Sequence, residues 1–586
     1  MGEHARNAAP GLVLGVGLLV RVVFLAGVDE PALVRVVPDD AYYYLKVARN
    51  VVAGQGATFD AIHPTNGYHP LWLGALVPVA WVVREPLAFV RAALGLGVGL
   101  SFLTAILLHR LVRRITGSWW IPLLALILYW LNPRAVASSL NGLESSLSTL
   151  LFTVLLWGTL RIADRRSPTA DWSRESGVRN PEYLSVAFGV LMGLLFLART
   201  DNVFFIGVFW LAAVAMAERG RRLRRAGVMA AAAAALAVPW AAYNWLAFGS
   251  PVQVSGLAVP YVQHALYRPE EHGGLSPTLH GLKLFAVMLY EGLRGEIGYS
   301  RLVSFPAIAL SLLVFAICWR REAALDADPA RSMAARRAIL VLLGLGLASF
   351  AHLFVHAAIR WYPRPWYFDQ LLVLLPAVFA LALSVATRRA QLPGAESRVP
   401  VAAPQEPGPG DLAPCSHPVA QSAIRNPRLL GALVALALAG IGGLLVERSA
   451  ALLRRGEWPW AVEMLDAARW LRDNTREGDV AAAFNAGIIG YYSQRRVVNL
   501  DGAVNNAAYE ALRHRSLLSM MRRAKVAYYL DFEPMTLKRF GPFLGALRDM
   551  EKMPVVHRFR RPEAAWAGSH ILVVKMHWSH EGTKED

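Results

Sequence analysis

Between residues 11 and 446 the chain returns repeatedly to apolar runs separated by arginine clusters, and this alternation leaves little room for anything but a bundle of membrane-crossing helices. The runs fall near 11–27, 87–109, 119–133, 145–160, 184–198, 203–217, 227–246, 303–319, 338–357, 368–386 and 429–446. Several are shorter than the roughly 20 residues that a helical crossing needs, so their ends are approximate. The first run carries Arg21 and lacks a clear small-residue cleavage site, and reads as a retained span rather than a signal peptide. A further apolar segment, 70–83, either crosses the bilayer or dips into its interface. Arginine placement decides between them. Arg110, Arg113 and Arg114; Arg161, Arg165 and Arg166; Arg219, Arg221, Arg222, Arg224 and Arg225; Arg320, Arg321, Arg336 and Arg337; and Arg388 and Arg389 all fall on the side of the N-terminus if the segment dips. Positive charge stays in the cytoplasm, so the expectation is eleven spans, a cytoplasmic N-terminus and an external loop after the first span.

Composition agrees: 55% of residues are hydrophobic and 17% charged. The net charge of +18 comes mostly from arginines lying between apolar segments, which marks them as topology signals and argues against nucleic-acid binding. The two cysteines, Cys318 and Cys415, suggest neither a disulfide framework nor a metal site.

The first external loop, DDAYYYLKVARNVVAGQGATFDAIHPTNGYHPLW, holds the densest set of polar and aromatic groups. Pro38 precedes it, and Gly54 and Gly56 close a helix that starts at Asp39. That helix would place Ala41, Tyr44, Leu45, Ala48 and Val52 on one face and turn Lys46 and Arg49 away, the pattern of a helix lying on a membrane surface. Asp39 and Asp40 sit in its first turn, where acids also stabilise a helix by simple capping. His63, Asn66 and His69 follow in a Pro- and Gly-containing loop.

In the eleven-span topology the same external side gathers Asn141 and Glu144 of NGLESS, Arg199 and Asp201 of ARTDN, and Arg360, Arg364, Trp366 and Tyr367 of RWYPRPWYFD. Ionisable groups near membrane depth mark either a site or a paired structural contact. Arg199 and Asp201 fit the second description as well as the first. The 248–301 loop adds Tyr261, His264, His272, Glu291 and Glu296 and is long enough to form a lid. His352 and His356 stand at i and i+4, but the sequence shows no third metal ligand, so packed histidines are expected. Residues 387–428 are rich in Pro, Ala and Gly and read as a cytoplasmic linker. Residues 447–586 read as an extracytoplasmic α/β domain: an amphipathic helix with Trp458, Val462, Leu465 and Ala468 on one side, then β-rich runs in VAAAF, RVVNL, KVAYYL and HILVVKM. Asn485, Gly487, Gly490, Asn499, Asp501 and Gly502 occupy its turns, as turn geometry alone favours.

The acidic pair of DDAYYYLKVARN, the downstream HPLW, GLESSL in the second external loop and ARTDN after the fifth span together resemble bacterial members of the GT-C superfamily, polytopic glycosyltransferases that use polyprenyl-phosphate sugars. The style is that of the protein O-mannosyltransferase and aminoarabinose transferase branch, in which an Asp-Glu or similar pair stands where Asp39 and Asp40 stand here. The resemblance implies a polytopic helical fold of GT-C type over 1–386, with 429–446 as the last span. It also implies a hexosyl- or pentosyltransferase of the bacterial cytoplasmic membrane. The sugar would pass with inversion from a polyprenyl-phosphate carrier to a glycan, lipid or protein hydroxyl, with no nucleic acid involved.

A carboxylate must take the acceptor proton, and fixed cations must meet the departing phosphate. Asp39 is the expected base, with Asp40 or Glu144 assisting. Arg360 and Arg364 suit the phosphate, and Arg199 is a further candidate. Tyr43, Trp366 and Tyr367 suit sugar faces or the lipid, and His63, Asn66, His69 and Asp201 complete the expected binding set. Asp39, Asp40 and Glu144 would be the oxygen ligands of a divalent cation (Mg, Mn or Ca) if one is used. A lipid-linked sugar flippase and a non-catalytic polysaccharide-binding scaffold are the competing classes; no internal repeat favours the first.

Overall fold

The computed structural model describes residues 3–163, 181–266, 274, 276–291, 329–359, 364–390, 427–544, 553–561 and 569–578. Among them seven helices are long and apolar enough to cross a bilayer: His4–Gly27, Pro86–Thr116, Ser145–Ala163, Arg219–Phe248, Arg336–Ala358, Pro365–Ser384 and Leu429–Arg455. Trp120–Trp130 and Pro133–Ser139 meet at a 56° bend and form an eighth if taken together. Pro133 lacks the N–H that would continue the first piece, and the Asn132 side chain caps the second by accepting from the Arg134 amide. The expected eleven exceeds this number for two reasons. Glu182–Ala198 and Thr200–Ala215 are apolar but short for a crossing. The 303–319 segment lies outside the described residues, as do His272, Glu296 and nearly all of the linker.

Charge inside the bundle is handled locally. Arg21 is fully buried, donating to the Ser139 hydroxyl at 2.8 Å and the Gly17 carbonyl at 2.8 Å, with its guanidinium 3.7 Å from the centroid of Trp130. An arginine at this depth faces the interior because lipid offers it no partner.

The C-terminal part folds around a five-stranded sheet of order β2-β1-β3-β5-β4. The strands are β1 (Val480–Ala483), β2 (Arg496–Asn499), β3 (Val526–Phe532), β4 (Val555–Arg558) and β5 (Ile571–Lys575). The first three run parallel, and β5 turns antiparallel against β3. β1 sits between two parallel neighbours and is buried along its whole length, which explains its uninterrupted apolar sequence. β4, one of the two edge strands, is largely exposed and shows no alternating signal in the sequence.

This sheet domain docks on the helix Asp39–Val52, and here the surface-helix expectation is corrected. Ala41 through Leu45, with Val47, Ala48 and Asn50, are all buried, leaving Lys46 and Arg49 among those partly exposed. One face meets the bundle. The other presents Tyr42 between the rings of Tyr491 and Tyr492, at 5.5 Å from each, and Tyr43 against Phe59. Tyr42 and Tyr43 give the helix a second apolar face, so it is an internal wall between two bodies rather than a float on the membrane; the Tyr44 hydroxyl turns the other way and accepts from the His69 amide at 3.1 Å. Arg134 pairs with Glu457, the Arg35 carbonyl receives the Glu457 and Trp458 amides, and the Tyr491 hydroxyl donates to the Pro86 carbonyl at 2.8 Å. One hydrophobic cluster joins the sheet domain to the first external loop and the adjoining helix ends, while most of the bundle packs around a second.

Candidate active site

Successive residues of a helix point about 100° apart, so the two aspartates part company. Asp39 turns to the sheet domain: its Oδ1 accepts from the Ile488 amide at 2.6 Å and its Oδ2 from the Gly487 amide at 3.1 Å. It therefore caps Gly487–Tyr492, the helix following β1. Burial pushes its carboxyl up to about 7, against those two donors and with the charge of Asp40 adding to the rise. Asp40, on the neighbouring face, makes no hydrogen bond or ion pair among the described residues. Burial raises its carboxyl too; Arg364 opposes the rise and Glu144 adds to it.

Glu144 ends the turn before helix Ser145–Ala163 and is only 4% exposed. Its Oε1 lies 3.5 Å from Arg199 Nη1 and 3.8 Å from His69 Nε2, while Oε2 is buried with no hydrogen-bond partner. His69 is oriented from behind. The Gln253 side-chain nitrogen can only donate, and it stands 3.2 Å from His69 Nδ1, so the imidazole proton belongs on Nε2, facing Glu144. Burial lowers the His69 pKa, with Glu144 working the other way, which keeps the ring neutral.

Arg199 occupies the break between helices Pro181–Ala198 and Thr200–Asn202. Its Nε and Nη2 donate to the two oxygens of Asp201 at 3.0 and 2.5 Å, and its Nη1 to the Trp366 carbonyl at 3.3 Å. The Tyr367 ring lies 5.3 Å away beneath its guanidinium. Burial works against the charge of Arg199, but Asp201 and Glu144 more than offset it. Asp201 in turn stands 3.1 Å from His352 Nε2 and 3.9 Å from His356 Nε2. One ligand atom from each of these three residues lies within 4.8 Å of the others. The sequence showed the two histidines but not that Asp201, some 150 positions earlier, faces them.

Of the expected residues, Asp40, His69, Glu144, Arg199, Asp201, Arg364, Trp366 and Tyr367 thus share one neighbourhood. Arg360 lies outside the described residues. Three others serve elsewhere. The Tyr43 hydroxyl receives the Ala486 amide and the Asn499 side chain, each at 3.3 Å, and fastens the sheet domain. His63 closes a local turn with Asp60 at 2.7 Å. Asn66, fully buried, ties Asn244, Val254 and Asn506 together. Among the described residues, the ligand atoms of Asp39, Asp40 and Glu144 do not gather within 4.8 Å as those of Asp201, His352 and His356 do.

Sequence reasoning also missed the sheet domain's contribution. Asp501, whose carboxyl burial raises to about 6, is coupled to Asp40, and Arg539 is coupled to both Asp501 and Arg364. The turn VVNLDG was visible, but nothing local in it signals that it would face the first external loop.

A family profile described as a domain of unknown function (DUF8728) matches residues 454–573, the sheet domain. No curated protein sequence matches the chain. Solved structures do. The apo oligosaccharyltransferase of Archaeoglobus fulgidus is 13% identical with a TM-score of 0.56, over 92% of this chain and 71% of that one. ArnT from Cupriavidus metallidurans bound to undecaprenyl phosphate is 14% identical with a TM-score of 0.54, over 96% and 97%. The archaeal oligosaccharyltransferase AglB with an inhibitory peptide and a dolichol phosphate gives 13% and 0.54, over 96% and 73%. The chain shares the fold of these glycosyltransferase structures, bundle and C-terminal domain together.

Proposed function

We propose that the chain is an inverting glycosyltransferase moving a hexose or pentose from a polyprenyl-phosphate carrier to an acceptor hydroxyl on a glycan, lipid or protein. The reaction would take place on the outer face of the cytoplasmic membrane, in an eleven-span topology with the N-terminus inside. The observation that carries this reading is a carboxylate without a hydrogen-bond partner among the described residues, Asp40, within electrostatic reach of Arg364 and Glu144, with the Glu144–Arg199–Asp201 chain close by. The fold supports it, and in ArnT the same fold is seen with undecaprenyl phosphate.

Asp40 is the base in this mechanism. Its carboxylate takes the proton of the acceptor hydroxyl as that oxygen attacks the anomeric carbon, and the bond from that carbon to the phosphate oxygen breaks on the opposite face. The electron pair leaves on the phosphate, where the positive charges of Arg199, held by Asp201 and Tyr367, and of Arg364, beside Trp366, offset the developing negative charge. Neutral His69 and the unsatisfied Oε2 of Glu144 are suited to sugar hydroxyls. Asp39 is the positioning residue: by capping Gly487–Tyr492 it fixes the first turn from which Asp40 projects.

The test is to incubate the purified chain with synthetic polyprenyl-phosphate sugars and measure released polyprenyl phosphate. Release with at least one donor is expected. Release from none of the common hexose and pentose donors, with the protein folded, would transfer the case to a flippase or a binding scaffold.

A further inference from the structure

We propose that Asp201, His352 and His356 form a binding site for a zinc-class divalent cation. His356 Nδ1 lies 2.8 Å from the backbone carbonyl of His352, one turn earlier on the same helix. A carbonyl only accepts, so Nδ1 carries the hydrogen and, in the neutral ring, Nε2 carries the lone pair. His356 Nε2 lies 3.9 Å from Asp201 Oδ2. His352 Nε2 stands at hydrogen-bond distance from the same oxygen, 3.1 Å, a contact that a bound cation would replace. One ligand atom from each of the three residues lies within 4.8 Å of the others, a spacing that a single cation can bridge. The arrangement has the marks of a metal histidine: an i, i+4 pair on one helix, a carboxylate third ligand, and an outer hydrogen bond fixing the tautomer of His356.

The surroundings are built for it. His352 and His356 are 2% and 7% exposed, and the His356 ring packs against Tyr367 at 4.5 Å. Arg199 grips Asp201 with one hydrogen bond to each oxygen, so Oδ1 keeps a further lone pair and Oδ2 gains one when His352 turns from hydrogen-bond donor to ligand. The buried, partnerless Oε2 of Glu144 lies in the same cluster. Two imidazole nitrogens and one carboxylate select a borderline ion such as zinc over magnesium or calcium, which prefer all-oxygen sites. This site differs in residues and in ion from the Asp39, Asp40 and Glu144 set that the sequence suggested.

The role of the ion, supplying positive charge beside Arg199, rests on the proposed glycosyl transfer; its binding does not. The full chain, purified in detergent without a polyhistidine tag and stripped with chelator, is titrated with zinc against a chromophoric competitor and, separately, with Co(II). About one zinc per chain is expected, with visible cobalt ligand-field bands of a nitrogen and oxygen site. His352→Gln and His356→Gln should each weaken zinc by about 100-fold or more, and substituting exposed His514 should not. Wild-type protein that binds no zinc and gives no cobalt spectrum overturns the proposal without reference to any variant. Binding that His352→Gln and His356→Gln leave untouched overturns it equally. Zinc binding without donor turnover would leave this site standing and remove the glycosyltransferase reading instead.

Discussion

Asp39 Oδ1 and the amide of Ile488 are 449 positions apart in the chain and 2.6 Å apart in the structure. The contact links the first turn of the first external helix to the helix after β1, and so binds the bundle to the sheet domain at the point where Asp40 emerges. Asp39→Ala should loosen the domain: two buried amides lose their acceptor, at about 1–3 kcal/mol each. Limited proteolysis of the folded protein measures this, and faster cleavage near Gly456–Ala461 with the bundle intact is the expected result.

Gly487 is a sharper probe of the same contact. A Cβ there would lie 2.2 Å from the Asp39 carbonyl oxygen, which is backbone and cannot swing aside. Gly487→Ala should therefore destabilise docking by about 1–3 kcal/mol, the usual cost of overpacking, while Gly478→Ala, where a Cβ meets nothing, serves as the control. Thermal unfolding followed by tryptophan fluorescence distinguishes the two.

The docked domain should also answer to pH. Burial raises the carboxyls of Asp39 to about 7 and of Asp501 and Asp531 to about 6, all from an ordinary 3.8. Between these values the folded chain holds protons that the unfolded chain has released, so the stability they contribute is fully present below about pH 4 and is lost as pH rises through 6 and 7. The unfolding midpoint is expected to be lower at pH 8 than at pH 5, with a shallower dependence in Asp39→Asn. A midpoint that rises over this range would contradict the assignment.

Arg199→Lys keeps the charge but loses the two-pronged grip on Asp201 and the flat packing over Tyr367. Turnover of a lipid-phosphate sugar should fall by about ten-fold or more, since lysine does not replace a bidentate, stacked guanidinium. Arg199→Ala should go further and cost about 3–5 kcal/mol of stability by leaving buried carboxylates unpaired.

Much of this was legible in the chain. Apolar runs located the helices because a bilayer imposes length and composition directly, and VAAAF, RVVNL, KVAYYL and HILVVKM each became a strand. Asp40, Glu144, Arg199 and Arg364 were legible as costly polar groups at span ends. The division between Asp39 and Asp40 was not, because it depends on a partner amide at the far end of the chain that no local pattern announces. The same holds for Asp201 and the two histidines: the i, i+4 pair is a local signal, but its third member arrives only through bundle packing. Tyr42 and Tyr43 misled for a physical reason, since a helix with two apolar faces resembles a surface helix until a second body covers the other side.

The most direct test compares Asp39→Asn and Asp40→Asn for release of polyprenyl phosphate and, in the same preparations, for binding of the lipid-phosphate sugar. The account predicts that Asp40→Asn lowers turnover by about 10²–10⁴-fold while donor binding persists, and that Asp39→Asn lowers it less and in step with loosened docking of the sheet domain. Full turnover by Asp40→Asn, or its loss in Asp39→Asn with docking unchanged, would contradict the central claim that Asp40 is the carboxylate that receives the acceptor proton.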